Sequence, residues 1–507
     1  MLPFVLAQVA AHACGGFFCN QATPVDQSGE VIVFGVDEAA DTVTMHVQVS
    51  YRGPAEEFSW VLPVRGVPDI FLSHSALFDD LPTATPRFFT VTTDDSRCVG
   101  DFGDADTDSD ADSDADADTD TDSDTDVDVV TVLAHDLVGP YDITTVAADD
   151  ADALVDWLQD NAYDVPDNLV DVLAPYIADD QNFVALKLRK DASTGALSPL
   201  ALRYSGTTPA VPLTLTRVAA EPDMPLNVYL VGEHRGVPLS FLHVQLNPLA
   251  IDYWRGGANL DEAITRAADE AGGQAFVTDD VSSTGTVSRL FYSEGRFDLD
   301  GLRNAPTAPD LVDRLPEAGF AFNDEVMAVL RTEYPVPDGF PGRPESFYTN
   351  PSDWREWWVD TPFDGDAVVD ALEAVEVEPR RQIQAMFDAN RTITRLRSSV
   401  SPEEMTADPT FGFNPDLPTF DDLGTVNQIR LCTNLETRAY TANQKLRFPS
   451  DITVVVPSQA ELDRAGQTPY DYLQAADPPA ALIIEQLAEA GLGTVLIDNR
   501  QALDASL

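Results

Sequence analysis

Residues 43–51 read VTMHVQVSY, and apolar and polar side chains alternate along this stretch without a break. A strict period of two puts one set of side chains on each face of a pleated backbone, so the stretch predicts a strand that is buried on one face. Apolar runs at 31–36 and 58–64 predict two further strands, and Pro63 indicates a sheet edge or a strand end. The N-terminal half is therefore expected to be β-rich, with mainly antiparallel strands.

Helical patterns become more frequent from about residue 300. The pattern predicts helices from Asn323 to Pro335, over 366–377, from Pro379 to Arg397 and over 479–490, and strands at 211–215, 453–456 and 494–497. We therefore predict an α+β protein with a β-rich N-terminal half and a more helical C-terminal part. The expected organisation is a signal segment over 1–13, a β-rich domain over 14–280 and a helix- and loop-rich region over 281–507.

The charge balance is extreme. The chain of 507 residues has 86 Asp and Glu against 30 Lys and Arg, a net charge of −56, and only three of its basic residues are Lys. The electrostatic field of such a charge repels phosphate, so no nucleic acid partner is expected and anionic lipid head groups are poor partners. An acidic, lysine-poor surface suits a saline environment, where counterions screen self-repulsion, but a coding bias that favours Arg over Lys explains the lysine count equally well.

An Asp-rich tract interrupts the predicted strands. Residues 101–128 contain 14 Asp, and Asp occupies every even position from 104 to 128. Repulsion between neighbouring carboxylates disfavours a sheet, so the tract is expected to be a solvated, disordered spacer. Weak Ca²⁺ binding is the alternative, although the tract lacks the turn glycine and closing Glu of a calcium loop. The candidate ligands for weak cation binding are Asp104, Asp106, Asp108, Asp110, Asp112 and Asp114; no other cofactor is expected.

The N-terminus resembles an export signal. An apolar run of about ten residues, 2–11, is too short to span a bilayer but suits a signal-peptide core, and Ala11 and Ala13 match a small-x-small cleavage site. No Lys or Arg precedes the run, and a buried first strand of a cytosolic protein is the alternative. Lipidation of Cys14 is less expected, because Ala11 stands where the lipidation signal has Leu.

An even number of cysteines fits two disulfides in an exported protein. The four are Cys14, Cys19, Cys98 and Cys432. We predict the pairs Cys14–Cys19 and Cys98–Cys432. The spacing of Cys14 and Cys19 matches neither a redox motif nor a zinc site.

Familiar catalytic motifs are absent from the sequence. It contains no Gly-x-Ser-x-Gly elbow, no helical His-Glu-x-x-His metal motif and no glycine-rich phosphate loop. His234 and His243 flank a predicted turn, where a satisfied hairpin pair is favoured over a metal site. Two carboxylates that act as acid and base cannot be singled out among 86 acidic residues.

Two local clusters are candidates for ligand binding. Trp354, Trp357 and Trp358 lie in an aromatic-rich stretch and could bind a sugar or an apolar ligand, but their spacing of three and four also fits one buried helical side. Arg391 and Arg395 belong to an arginine-rich segment that could hold an anion. Pairing with neighbouring carboxylates is the favoured alternative.

Several long strings resemble an uncharacterised bacterial family known as domain of unknown function 2330. They are ACGGFFC at 13–19, PVDQSGE at 24–30, GPAEEFSWVLPV at 53–64, VGPYD at 138–142, PDMPLNVYLVGEHR at 222–235 and SPEEMTADPTFGFNPDLP at 401–418. The resemblance spans about residues 13–435. It implies an exported protein whose mature chain starts near Cys14, and it brings no catalytic residues.

These observations favour an exported, non-enzymatic protein of the cell envelope or exterior that binds or scaffolds an unknown protein or glycan partner. No integral membrane segment is expected in the mature chain. The alternative is an exported hydrolase that uses paired carboxylates.

Overall fold

A computed structural model gives the fold. It describes residues 17–18, 30–48, 59–94, 130–161, 163, 165, 169–188, 198–217, 220–358, 362–420, 423–430 and 442–500. All four cysteines and the Asp-rich tract of 101–128 lie outside these ranges.

The strands are short and numerous. In chain order they are β1 (Phe17–Phe18), β2 (Glu30–Asp37), β3 (Thr42–Val47), β4 (Ser59–Val64), β5 (Asp69–Leu72), β6 (Thr90–Asp94), β7 (Val130–Val138), β8 (Tyr141–Ala148), β9 (Asn182–Leu188), β10 (Leu200–Ser205), β11 (Met224–Gly232), β12 (Arg235–Pro238), β13 (Leu242–Leu246), β14 (Ala275–Ser283), β15 (Thr392–Val400), β16 (Phe411–Asn414), β17 (Thr425–Ile429), β18 (Gln444–Arg447), β19 (Thr453–Val456), β20 (Ala481–Gln486) and β21 (Thr494–Asp498).

The helices are also short. They are α1 (Ser75–Ala84), α2 (Ala151–Asp160), α3 (Leu169–Ala178), α4 (Leu213–Thr216), α5 (Leu260–Glu270), α6 (Leu299–Arg303), α7 (Ala308–Arg314), α8 (Asp324–Glu333), α9 (Pro344–Thr349), α10 (Gly365–Leu372), α11 (Glu378–Ala389), α12 (Gln459–Ala465) and α13 (Pro469–Gln474). A π-helical turn, Glu373–Val377, joins α10 to α11.

A ten-stranded sheet is the centre of the molecule, in the order β21-β20-β13-β14-β15-β11-β2-β3-β10-β5. Its pairs are antiparallel except β11 with β2 and β13 with β14. A five-stranded antiparallel sheet has the order β1-β4-β9-β8-β7, and smaller sheets pair β12 with β16 and arrange β19-β18-β17-β6. Strands from both sides of residue 280 share the large sheet, so the predicted domain boundary falls inside it.

The largest apolar core lies between the ten-stranded and five-stranded sheets. Alternation in β3 puts Val43, Met45 and Val47 into this core, as the period of two predicts. Leu62 of β4 and Leu186 of β9 meet them from the five-stranded sheet. Helices α2 and α3 cover the other face of the five-stranded sheet. A separate helical core is built by α6 to α10.

The predicted α+β class is confirmed, but three predicted elements are wrong. Residues 213–216 form α4 where a strand was expected. The helix expected to reach Arg397 ends at Ala389, and 392–400 form β15 in the interior of the large sheet. The helix expected over 479–490 is replaced by β20. Apolar runs of this length fit a buried strand and a buried helix equally well, so pairing with neighbouring strands decides between them.

Candidate functional site

A cavity of about 570 Å³ lies where the two packed sheets meet α3. Met45 of β3 and Leu62 of β4 are almost fully buried and contribute apolar lining from one sheet each. Tyr204 of β10 contributes an aromatic ring, and Tyr176 of α3 contributes a phenol that is 5% exposed. The volume is within the range of about 300–1,000 Å³ that is typical of small-molecule sites.

Asp408 and Tyr176 are two of the polar groups among the less exposed residues of this lining. Burial raises the pKa of the Asp408 carboxyl, although the Thr214 N–H and Tyr176 partly offset that effect. Burial, reinforced by the Asp408 charge, also raises the pKa of Tyr176. The two groups are thus close enough to perturb each other, yet the Tyr176 hydroxyl makes no hydrogen bond of ordinary geometry to any described residue. A buried hydroxyl whose contacts with Asp408 and Thr214 fall outside ordinary hydrogen-bond geometry is costly, and a ligand that reached it would supply the missing hydrogen bond.

The loop that carries Asp408 is held rigidly. Segments 209–211 and 409–411 pair through the bridge between Ala210 and Thr410 and through N–H···O bonds of 3.1 and 2.9 Å. The Thr214 N–H donates to Asp408 Oδ1 at 2.8 Å, and the Ser240 hydroxyl donates to the Asp408 carbonyl at 3.1 Å. The carboxyl is therefore fixed before any ligand arrives, which reduces the entropy lost on binding.

The outer part of the lining is polar and rich in hydroxyl groups. Its exposed members are Arg65, Asp179, Ser205, Thr207, Thr208 and Thr406. Hydroxyl groups both donate and accept hydrogen bonds, and the apolar interior suits the C–H face of a ring. The cavity thus fits a small molecule that carries hydroxyl groups on an otherwise apolar frame.

A second buried polar cluster, formed by His74, Glu325 and Glu376, joins α1 to the helical region. One ligand atom from each of its three members lies within 4.8 Å of the others, a spacing that could hold a metal ion. The His74 Nδ1 accepts the Ala76 N–H at 3.0 Å and caps α1, so its Nε2 carries the proton and donates to Glu376 at 2.8 Å. Both ring nitrogens already have partners, and a metal would have to displace one of them.

The carboxylate of Glu376 is saturated as well. Asn323 donates to its Oε2 at 2.6 Å, and Arg380 Nε donates to its Oε1 at 2.8 Å. Burial alone would raise the pKa of Glu376, but the hydrogen bonds from His74 and Asn323 and the charge of Arg380 outweigh that effect and lower the pKa to about 2. The donor set therefore fits a hydrogen-bonded junction between helices better than a metal centre.

The three tryptophans predicted to bind a ligand pack against aromatic neighbours. Trp358 is 5% exposed and stacks on Phe347 with ring centroids 4.1 Å apart, so its ring belongs to the helical core. Trp354 and Trp357 are half-buried and meet Phe340 edge-on at 4.8 and 5.6 Å. The arrangement matches the alternative of core packing, and ligand binding at Trp354 and Trp357 stays a prediction.

The two arginines predicted to bind an anion are paired with carboxylates. Exposed Arg391 lies 3.0 Å from Glu233. Buried Arg395 lies 2.6 Å from Asp279 and donates to the Thr85 carbonyl at 3.0 Å. Desolvation opposes the charge of Arg395, but Asp279 more than compensates and raises its pKa. The rest of the segment follows the same rule: Arg380 pairs with Glu376, Arg381 with Glu378 and Arg397 with Asp261.

The remaining candidates fall outside the described residues. These are the disulfide candidates Cys14, Cys19, Cys98 and Cys432 and the cation candidates Asp104, Asp106, Asp108, Asp110, Asp112 and Asp114. Both sets stay predictions. Among the helices that the structure describes, none is long and apolar enough to cross a membrane.

Sequence reasoning missed the cavity. Asp408 lies inside the string 401–418 that carries the family resemblance, but nothing local distinguishes it from other acidic residues. Tyr176 is 232 positions away and follows Pro175 in an apolar helix, so its pattern predicts core packing. Only the contact between α3 and the 406–410 loop brings the two side chains together.

Fold and cavity together define an α+β protein with a ligand-sized cavity between its two largest sheets. The chain belongs to the family described as "Uncharacterized protein conserved in bacteria", domain of unknown function 2330, which matches residues 8–279. This confirms the resemblance seen in the sequence.

Two further comparisons add no functional information. No curated protein matches the chain. One solved structure, a mutated baculovirus P35 after caspase cleavage, is similar at 10% identity over 43% of this chain and 78% of that one, with a TM-score of 0.23. A TM-score this low carries no argument about fold or function.

Proposed function

We propose that this protein is an extracytoplasmic binding protein that holds a small, neutral, hydroxyl-rich ligand, such as a glycan unit, in the cavity between its two largest sheets. The observation that carries the proposal is the unpartnered, buried Tyr176 hydroxyl beside the Asp408 carboxyl. Both groups line a cavity of suitable size, and the Tyr176 hydroxyl makes no hydrogen bond of ordinary geometry to any described residue.

The charge of the protein supports a neutral ligand over an anionic one. A net charge of −56 disfavours an approaching anion, and the buried acid in the cavity adds to that effect. A sugar ring instead offers hydroxyl groups to Asp408 and Tyr176 and an apolar face to Met45 and Leu62. Placement outside the cytoplasm rests on the N-terminal apolar run and the even cysteine count.

Titration calorimetry with neutral mono- and disaccharides of bacterial envelope glycans tests the proposal. We expect one of these sugars to bind. Asp408→Asn and Tyr176→Phe should each raise its dissociation constant by about tenfold, the effect of one lost hydrogen bond. Tyr163→Phe is the matched control, because Tyr163 is equally buried but donates to the Ala185 carbonyl outside the cavity. Unchanged affinity in both cavity variants, or no binding by any of these sugars, would refute the assignment.

The alternative function, hydrolysis by paired carboxylates, can be tested with one of the same variants. Two carboxylates line the cavity, Asp408 in its buried part and Asp179 at its exposed part. If the protein cleaves a bound disaccharide and Asp408→Asn abolishes cleavage, the protein is a hydrolase rather than a binding protein.

A further inference from the structure

We propose that Thr278, His243 and Glu485 form an acyl-transfer site, in which Thr278 is the nucleophile for small carboxylic esters. The site is separate from the cavity between the sheets and goes beyond the binding function proposed for it. It lies on three neighbouring strands of the large sheet: β14 carries Thr278, β13 carries His243 and β20 carries Glu485.

The three side chains are arranged as a nucleophile, a base and a positioning carboxylate. Thr278 Oγ1 lies 2.9 Å from His243 Nε2, and His243 Nδ1 lies 2.8 Å from Glu485 Oε1. His243 and Glu485 face each other directly in the antiparallel pairing of β13 with β20. Gln245, two residues further along β13, donates to the same Glu485 oxygen at 2.9 Å and fixes the carboxylate. This order of contacts is the one used by hydrolases that activate a hydroxyl through histidine.

Arg235 of β12 completes the site. Its Nη2 donates to Thr278 Oγ1 at 3.2 Å, which directs the threonine proton towards His243 Nε2. Its Nε is buried and has no partner among the described residues. The guanidinium lies over the ring of the half-buried Phe420, at 5.4 Å from the ring centroid. An unpartnered N–H beside the hydroxyl is where an oxyanion would be stabilised.

The protonation states suit base catalysis near neutral pH. Burial lowers the pKa of His243, although Glu485 partly offsets this, so the imidazole is neutral and able to accept a proton. Burial alone would raise the pKa of Glu485, but the hydrogen bonds from His243 and Gln245 and the charge of Arg235 outweigh that effect and lower the pKa of the carboxyl. A register shift in β14 between Thr278 and Asp280 places a bulge at the nucleophile, and bulges often re-aim side chains at active sites.

The reaction balances with water as the second substrate. Thr278 Oγ attacks the ester carbonyl carbon while its proton moves to His243 Nε2, and Arg235 Nε–H stabilises the oxyanion. The C–O bond to the alcohol then breaks, and the leaving alkoxide takes the proton from His243. Water then attacks the acyl carbon of the acyl-threonine ester while His243 Nε2 takes its proton. The bond between the acyl carbon and Thr278 Oγ breaks, Oγ takes that proton back from His243, and the carboxylic acid leaves.

The test is hydrolysis of p-nitrophenyl acetate by the full chain, together with intact-mass detection of one acetyl group and its mapping to a peptide. We expect acetylation at Thr278, and we expect Thr278→Val, which keeps the side-chain volume, to lower kcat/KM by about 100-fold. Thr278→Ser keeps the hydroxyl group and should therefore retain the activity that Thr278→Val loses. Because the chain has only three Lys, background acetylation of amines is low.

Matched variants separate catalysis from stability. Thr145→Val removes an equally buried hydroxyl from the five-stranded sheet and should leave the rate unchanged. Glu485→Gln should shift the acidic limb of the kcat/KM profile to lower pH, because it removes the anion that raises the pKa of His243. A folded wild-type protein that hydrolyses the ester no faster than Thr278→Val, or acetylation that maps elsewhere, would overturn the proposal.

Discussion

At the scale of single residues, the junction around Glu376 shows how a buried charge is kept in a protein of high negative charge. The carboxylate is 2% exposed and accepts hydrogen bonds from His74, Asn323 and Arg380. Two of these donors come from other elements, because His74 caps α1 and Asn323 caps α8. The π-helical turn that contains Glu376 thus joins helices that are far apart in the sequence.

Replacing Glu376 by Gln should lower the free energy of unfolding by about 3 kcal/mol at pH 7, because Arg380 would remain buried without its anion. The folded-state pKa of Glu376, about 2, lies below its ordinary value of 4.5, so the stability it contributes is present above pH 4.5. That contribution is lost as the pH falls from 4.5 towards about 2. Urea denaturation at several pH values should therefore show the two proteins converging in acid.

Glu373→Gln is the control for this experiment. Glu373 is one-third exposed and lies 3.6 Å from Arg303, so its removal should cost less than about 1 kcal/mol. Equal losses for the two variants, or a difference that persists at pH 2, would contradict a special role for the buried carboxylate.

At the scale of elements, two glycines in turns allow the cost of backbone strain to be compared with the cost of a steric clash. Gly319, after α7, and Gly339 both have positive φ, at +92° and +81°. A Cβ at Gly319 would lie 2.2 Å from the Arg296 carbonyl oxygen, whereas a Cβ at Gly339 would have nothing within 4 Å. Gly339→Ala should cost about 1–2 kcal/mol from the left-handed conformation alone. Gly319→Ala should cost clearly more, since the Arg296 backbone must move.

Thermal unfolding of the two glycine variants measures this difference directly. The Gly319→Ala midpoint should fall well below that of Gly339→Ala. Equal midpoints would mean that the chain between β14 and α7 moves aside without cost.

The elements that sequence reasoning missed are those whose identity depends on distant partners. Arg391 directly precedes β15, and its spacing to Arg395 and Arg397 also fits a helix, although Thr392, Ile393 and Thr394 favour a strand. The strand forms because β11 and β14 flank it and Asp279 neutralises Arg395. By contrast, β3 and α8 were predictable, since alternation marks the first and Asn323 caps the second.

The two proposed sites also depend on residues that are far apart in the sequence. His243 was recognised as a candidate, but Glu485 lies 242 positions away in a stretch that predicts a helix. Thr278 has no local signal at all. Asp408 and Tyr176 are ordinary in sequence, and the fold alone places them in one cavity. Side chains that are far apart in the sequence meet only when the strands pair in the correct register, and local sequence patterns do not reveal that register.

At the scale of the whole molecule, negative charge opposes folding. The Asp-rich tract supplies only 14 of the 86 acidic residues, so most of the charge lies elsewhere in the chain. Like charges on a compact body repel more strongly than on an unfolded chain, which lowers stability at low ionic strength. The strand β21 at one edge of the large sheet also exposes Val495, Leu496 and Ile497.

Salt should therefore stabilise this protein. Raising NaCl from about 0.01 M to about 1 M shortens the Debye length from about 30 Å to about 3 Å, which screens repulsion between separate surface charges while short ion pairs persist. We expect the thermal unfolding midpoint to rise steadily over this range. A variant that lacks residues 101–128 should keep most of the increase, because it retains 72 acidic residues of the original 86. A midpoint independent of salt would show that surface repulsion does not limit stability, and loss of the increase on deletion would place the repulsion in the Asp-rich tract.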